Sequence, residues 1–201
     1  MATALWVNQR ALFALGFFMS QRSVCVFCGS RSGSRPDFQS EAEALGRVLA
    51  ARGWRLVYGA GDVGLMGAVA QSAQSQGGET FGVIPTHLIR REAGHSDPRR
   101  FVITENMHER KKVMFMNSDA IVVMPGGAGS LDEFFEVLTW RQLGLHDKPL
   151  ILLNTAGYWD PLLALLDHVI AQGFADPSLR GFVQVAADVD TLEAALAAAL
   201  S

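Results

Sequence analysis

Ala120-Ile-Val-Val-Met-Pro-Gly-Gly-Ala-Gly-Ser-Leu-Asp-Glu133 is the stretch that decides the fold. Its first five residues, Ala120–Met124, are apolar without alternation, as a strand covered on both faces of a parallel sheet must be. Pro125 and the glycines after it end the strand, and helical spacing resumes near Ser130 and runs to about Leu143. Strand, glycine loop and helix in that order make half of a βαβ unit. Glycines here let the backbone expose consecutive N–H groups, and the helix start adds the positive end of its dipole. Gly126, Gly127, Ala128, Gly129 and Ser130 therefore form a candidate phosphate cradle. A plainer reading competes with it: Ser130-x-x-Glu133 has capping-box spacing, in which both side chains would satisfy backbone donors. Taken alone, the box accounts for Glu133.

Outward from this segment, short apolar runs alternate with stretches of helical period. Strands are expected at Val24–Phe27, Leu56–Tyr58, Phe81–Ile84, Phe101–Ile103, Leu150–Leu153 and Phe182–Val185. Helices are expected over Pro36–Arg52, Gly64–Gln76, Met107–Asn117, Tyr158–Gln172 and Thr191–Leu200. The expected fold is α/β: a Rossmann-like, doubly wound, mostly parallel sheet flanked by helices. At 201 residues, with no repeat or linker to divide them, the chain fits one domain over 23–201, able to bury about 70% of its unfolded surface. The polar loop Pro85–Arg100 is the longest connection and a candidate binding loop.

Composition narrows the function. A formal net charge of −3 argues against coating a nucleic-acid polymer, which takes a basic balance. Cys25 and Cys28 have C-x-x-C spacing, yet inside a strand residues three apart point to opposite faces. With no second cysteine pair they read as core thiols, leaving no metal site, and a reducing, cytoplasmic compartment follows. Residues 1–22 read as a poorly ordered N-terminal extension. The apolar run within them, Ala11–Phe18, is too short to span a bilayer and lacks a cleavage site, so no membrane partner is expected.

A second glycine loop, Gly59-Ala-Gly61-Asp-Val-Gly64, follows Leu56–Tyr58 and matches G-x-G-x-x-G. A dinucleotide site would also want an acidic residue at the end of the next strand. Glu79 precedes that strand, and Pro85-Thr86-His87 ends it. The loop then either lets a mononucleotide approach over Gly59 and Gly61 or packs a helix tightly. The third segment is Met107-His-Glu-Arg-Lys-Lys112. Read alone it is the solvated start of a helix, but that helix leads into the strand carrying the Pro125 loop, so Arg110 can face the same crevice.

Four segments together carry a resemblance: Cys25–Ser30, Val57–Gly67, Met107–Lys111 and Pro125–Glu133. In them the chain resembles the LONELY GUY family of cytokinin riboside 5′-monophosphate phosphoribohydrolases, often mislabelled lysine decarboxylases. Similarity continues through Thr139–Pro149 and Gly157-Tyr-Trp, covering roughly residues 23–177. The resemblance implies hydrolysis of the N-glycosidic bond of a nucleoside 5′-monophosphate without a cofactor, by a homodimer whose sites lie near the subunit interface. It implies Arg110 and Glu133 as the catalytic pair. It also implies nucleotide contacts from Glu92, Lys111, the loop Gly127, Ala128, Gly129, Ser130, Leu131, Asp132 to Glu133, and Thr139. The chain departs from the usual family pattern at Ser130 (commonly Thr), Asp132 (commonly Glu) and Ala60 (commonly Gly). A non-catalytic nucleotide carrier on the same fold is the alternative, and a dinucleotide-dependent oxidoreductase a weaker one. Decarboxylation through a pyridoxal Schiff base would need a lysine in a cofactor site, and only Lys111, Lys112 and Lys148 exist.

Overall fold

The computed structural model describes residues 21–89 and 101–201. The expectations for residues 1–20, and for Glu92 and most of the Pro85–Arg100 loop, lie outside those residues. Strands β1 (Ser23–Phe27), β2 (Arg55–Tyr58), β3 (Thr80–Pro85), β4 (Phe101–Thr104), β5 (Ala120–Val123), β6 (Leu150–Leu153) and β7 (Gln184–Ala186) form one sheet in the order β4-β3-β2-β1-β5-β6-β7. Every neighbouring pair is parallel. The fold is the expected α/β Rossmann-like one, a single domain. Strand order reverses between β1 and β5, so the crevice beyond their carboxyl ends is the switch point where such sheets bind ligands.

Helices α1 (Pro36–Ala51), α2 (Gly64–Ser75) and α7 (Val189–Leu200) cover one face of the sheet, and α3 (Met107–Met116), α4 (Ala128–Gln142), α5 (Asp160–Ala171) and the short α6 (Ser178–Gly181) the other. β1 shows how the sequence selects both layers. Val24, Val26 and Cys28 pack with Leu45 and Leu49 of α1, whereas Cys25 and Phe27 pack with Met114 of α3 and Phe134 of α4. The two cysteines thus fall in different cores and are free thiols. Among the described residues, no helix is long and apolar enough to cross a membrane.

Several boundaries differ by a residue or two from those read in the sequence, and two of the differences are instructive. The last strand is Gln184–Ala186 instead of Phe182–Val185. Phe182 and Val183 instead follow the turn of α6 and pack toward α4 and α5. An apolar run shows that residues are buried but not whether they are paired in a ladder. The second difference matters for the site: α4 begins at Ala128, with Gly127 as its N-cap at φ −95° and ψ −153°. Ser130 is then the third residue of the helix and Glu133 the sixth, too far along to cap it. The expected Ser130–Glu133 capping box is not formed. A near relative of such a box occurs on α3, where Asn106 Oδ1 accepts from Glu109 N at 3.0 Å and the Glu109 carboxylate accepts from the N–H of Glu105, one residue before the N-cap, at 2.9 Å.

Candidate active site

A cavity of about 470 Å³ opens at the switch point, within the size range of small-ligand sites. Its floor is the end of β1 and the loop after β5. Gly29 N–H donates to Pro125 O at 3.0 Å, stitching the two loops together. Gly126, Gly127, Ala128, Gly129 and Ser130 form one wall. Ser130 is buried beneath the loop at 3% exposure. A Cβ on Gly126 would overlap Ser130 Oγ and lie 2.7 Å from Ser130 Cβ, which is why that position holds glycine.

No side chain caps α4, in contrast to α3 and to α7, where Asp188 Oδ1 accepts from Thr191 N. The first helical bond of α4 runs from Leu131 N–H to Gly127 O at 3.1 Å. The N–H groups of the first turn have no partner within the helix, and the helix dipole adds partial positive charge there. An uncapped helix start facing a cavity is an anion site in waiting.

Arg110 reaches the cavity from α3 although it is only 4% exposed. Its guanidinium threads past the glycine loop after β2, where Nη2 donates to Gly59 O at 2.8 Å. A Cβ on Gly59 would overlap Nη2 and sit 2.7 Å from Cζ. The first glycine of the G-x-G-x-x-G match thus clears the path of an arginine. Gly61 lies deeper, its N–H donating to Met66 Sδ at 3.2 Å, and Ala60 between them holds φ of 60°. That conformation is uncommon for a residue with a Cβ and is one glycine would adopt freely, in keeping with the sequence departure at this position.

Glu133 is 8% exposed and lines the same cavity from α4. The buried Cys28 thiol registers both charges. Burial raises its pKa, the Glu133 carboxylate raises it further, and Arg110 acts in the opposite sense. The thiol stays protonated and inert.

Lys111 is the next residue after Arg110 and turns elsewhere. Its Nζ sits 2.8 Å from Asp132 Oδ2 and 2.9 Å from Glu136 Oε2, clamping α3 to α4. Burial lowers its pKa, but the hydrogen bonds and charges of the two carboxylates outweigh that and hold it above the ordinary lysine range. Lys111, Leu131, Asp132, Thr139, Gly59 and Gly61 are not among the residues lining the cavity. Thr139 is on the exposed side of α4, its hydroxyl donating to Phe135 O at 2.7 Å.

The cavity's apolar side is built from Phe38, Leu65, Met66, Leu88 and Met107, and Tyr158 closes one flank. Reading the sequence for charge and glycine passed over these residues. Only the aromatic pair in Gly157-Tyr-Trp, within the extended resemblance, gave a hint of Tyr158.

A Rossmann-like sheet whose switch point joins an uncapped glycine-led helix to one buried arginine and one buried carboxylate defines an α/β protein with a candidate anion site and two buried, oppositely charged side chains beside it. Comparison with known proteins gives the family. The family described as "Possible lysine decarboxylase" matches residues 66–196. A cytokinin riboside 5′-monophosphate phosphoribohydrolase of Rhodococcoides fascians is 43% identical over 176 residues, 87% of this chain and 89% of that protein. One from Arabidopsis thaliana is 43% identical over 162 residues, 81% and 75% of the two chains. The chain belongs to the cytokinin riboside 5′-monophosphate phosphoribohydrolase family. Among solved structures, the molybdenum cofactor binding protein of Rippkaea orientalis superposes with a TM-score of 0.70 at 23% identity, covering 91% of this chain and 99% of its own. The molybdenum cofactor carrier protein of Chlamydomonas reinhardtii gives 0.69 at 24%, covering 90% and 98%. At that identity the likeness concerns the fold.

Proposed function

We propose that the protein hydrolyses the N-glycosidic bond of a cytokinin or adenine nucleoside 5′-monophosphate, releasing the free base and ribose 5-phosphate. The observation that carries this reading is the convergence of Arg110, Glu133 and the uncapped start of α4 on one cavity. The 5′-phosphate docks on the Gly126–Ser130 wall, where backbone donors and the helix dipole meet it. Anchored there, the ribose presents its anomeric carbon to Glu133, five residues into the helix. The C1′–N bond breaks as water forms the new C1′–O bond, and the departing base takes up a proton. Positive charge builds on the sugar ring in between, and a buried carboxylate beside it stabilises it. Arg110 holds the phosphoribose in register. The apolar side of the cavity receives the base.

A Schiff-base decarboxylase is a poor fit, since none of the three lysines lines the cavity. Lys111 is clamped between carboxylates, Lys148 donates to Phe115 O, and Lys112 is exposed. Incubation with a panel of nucleoside monophosphates tests the proposal. Base and ribose 5-phosphate should appear one for one; binding without release would indicate a carrier instead.

A homodimer fits the surface. Phe135 of α4 is exposed beside Thr139, and Met116 and Leu143 are exposed at the ends of α3 and α4. A second copy covering them would bring the family's Thr139 contact toward a cavity. Light scattering should give the mass of two chains at micromolar concentration; a monomer there refutes the assembly. The free, buried thiols of Cys25 and Cys28 suit a reducing cytoplasm, which cell fractionation would check.

A further inference from the structure

Tyr158 follows β6, and neither its residue type nor its place in the chain marks it as part of a phosphate site. Its hydroxyl donates to Gly126 O at 2.6 Å. Its ring stands edge-on to Phe38 of α1 at 5.5 Å and to Trp159 at 4.8 Å. Trp159 is itself fixed, its indole N–H donating to Val123 O at 3.2 Å and its backbone N–H to Asn154 Oδ1 at 2.6 Å. The hydroxyl is therefore delivered to that carbonyl by a rigid support.

The bond completes the pairing of the loop's carbonyls. Backbone oxygens drawn away from water need donors, and each of the three carbonyls leading into α4 has one, from buried Pro125 through half-buried Gly126 to exposed Gly127. Pro125 O accepts from Gly29 N–H at 3.0 Å, and Gly127 O accepts from Leu131 N–H at 3.1 Å. Gly126 O accepts from Tyr158. Two of the donors are backbone N–H groups that any residue except proline would supply at those positions; the third depends on a single phenol. A peptide unit is planar, with its C=O and N–H pointing in opposite directions. Gly126 and Gly127 flank one such unit, and neither has a Cβ to resist its rotation. If that peptide turned, the Gly126 carbonyl dipole could face the cavity, where it would repel an anion.

We propose that Tyr158 is a positioning residue for phosphate: its hydroxyl keeps the Gly126 carbonyl turned aside, so that the loop meets the 5′-phosphate with N–H groups alone. This rests on the phosphate-site reading given above. The test is calorimetric titration of the full chain and of Tyr158→Phe with ribose 5-phosphate, ribose and adenine, none of which turns over. Phe keeps the ring contacts and loses only the hydroxyl. Ribose 5-phosphate should bind about tenfold more weakly to Tyr158→Phe, an effect of the size expected for one hydrogen bond acting on a charged ligand. Adenine should stay within about twofold, and the KM for a nucleoside monophosphate should rise with kcat little changed. If the parent protein binds ribose 5-phosphate no better than ribose, the phosphate site itself is wrong and the proposal falls with it. If the parent discriminates and Tyr158→Phe discriminates equally well, the positioning role is refuted while the phosphate site stands. Equal weakening of adenine and ribose 5-phosphate would make Tyr158 a wall of the cavity only, and would also refute it.

Discussion

Glu133→Gln should release base about a hundred- to a thousandfold more slowly than the parent, with folding and ligand binding retained. Gln keeps the shape of the side chain and an acceptor oxygen but loses the charge. A buried charge placed against a developing cation is typically worth about 3 to 4 kcal/mol of barrier. If Glu133 were a helix cap, Gln would replace it almost without loss. The geometry speaks against that: the helix starts at Ala128, its N-cap is Gly127, and Glu133 is the sixth helical residue, about one and a half turns inside, lining the cavity. Base-release rate, melting temperature and ribose 5-phosphate affinity measured together separate the two roles. Activity within about threefold of the parent, far short of the electrostatic effect, would remove Glu133 from the catalytic pair.

Arg110→Ala should lower kcat/KM by about a hundredfold, the usual scale for losing a charged group that acts on the transition state. A companion substitution reaches the same site without touching the arginine. In Gly59→Ala the new methyl would occupy the place of Nη2. The guanidinium is the flexible end of a long side chain, so it moves aside instead of the backbone and leaves its hydrogen bond to Gly59 O. Gly59→Ala should therefore lose at least tenfold in kcat/KM, in the direction of Arg110→Ala. The double variant should be little worse than Arg110→Ala, because both changes remove one arrangement. Full activity in Gly59→Ala would show that the observed position of Arg110 is not the working one.

The case of Gly59 also shows how far residue patterns carry. Parallel architecture was legible because both-face burial leaves unalternated apolar runs such as Ala120–Val123, and Cys25 and Cys28 fell in opposite cores as strand alternation requires. The glycine loop after β2 was visible, but its purpose was not, since a match to G-x-G-x-x-G cannot tell a ligand from an arginine arriving 51 residues later. The start of α4 was placed late because Ser-x-x-Glu spacing describes a local possibility, and the tertiary position of Gly127 overrode it. Arg110 and Lys111 are neighbours in the chain but serve different partners, one aimed past β2 and the other at two carboxylates one turn apart on α4. Tyr158 stood in the sequence only as part of the similar segment Gly157-Tyr-Trp, with no role attached, because holding a carbonyl aside leaves no compositional trace.

In the proposed reaction the phosphate is the handle by which the sugar is presented to Glu133. Initial rates of adenine release from AMP and from adenosine, measured side by side with the same protein, test that most directly. The phosphate contacts use binding energy to orient a bond some distance away. Adenine should therefore appear readily from AMP and at least a hundredfold more slowly from adenosine, on the scale such positioning supplies. Equal rates from the two would contradict the account.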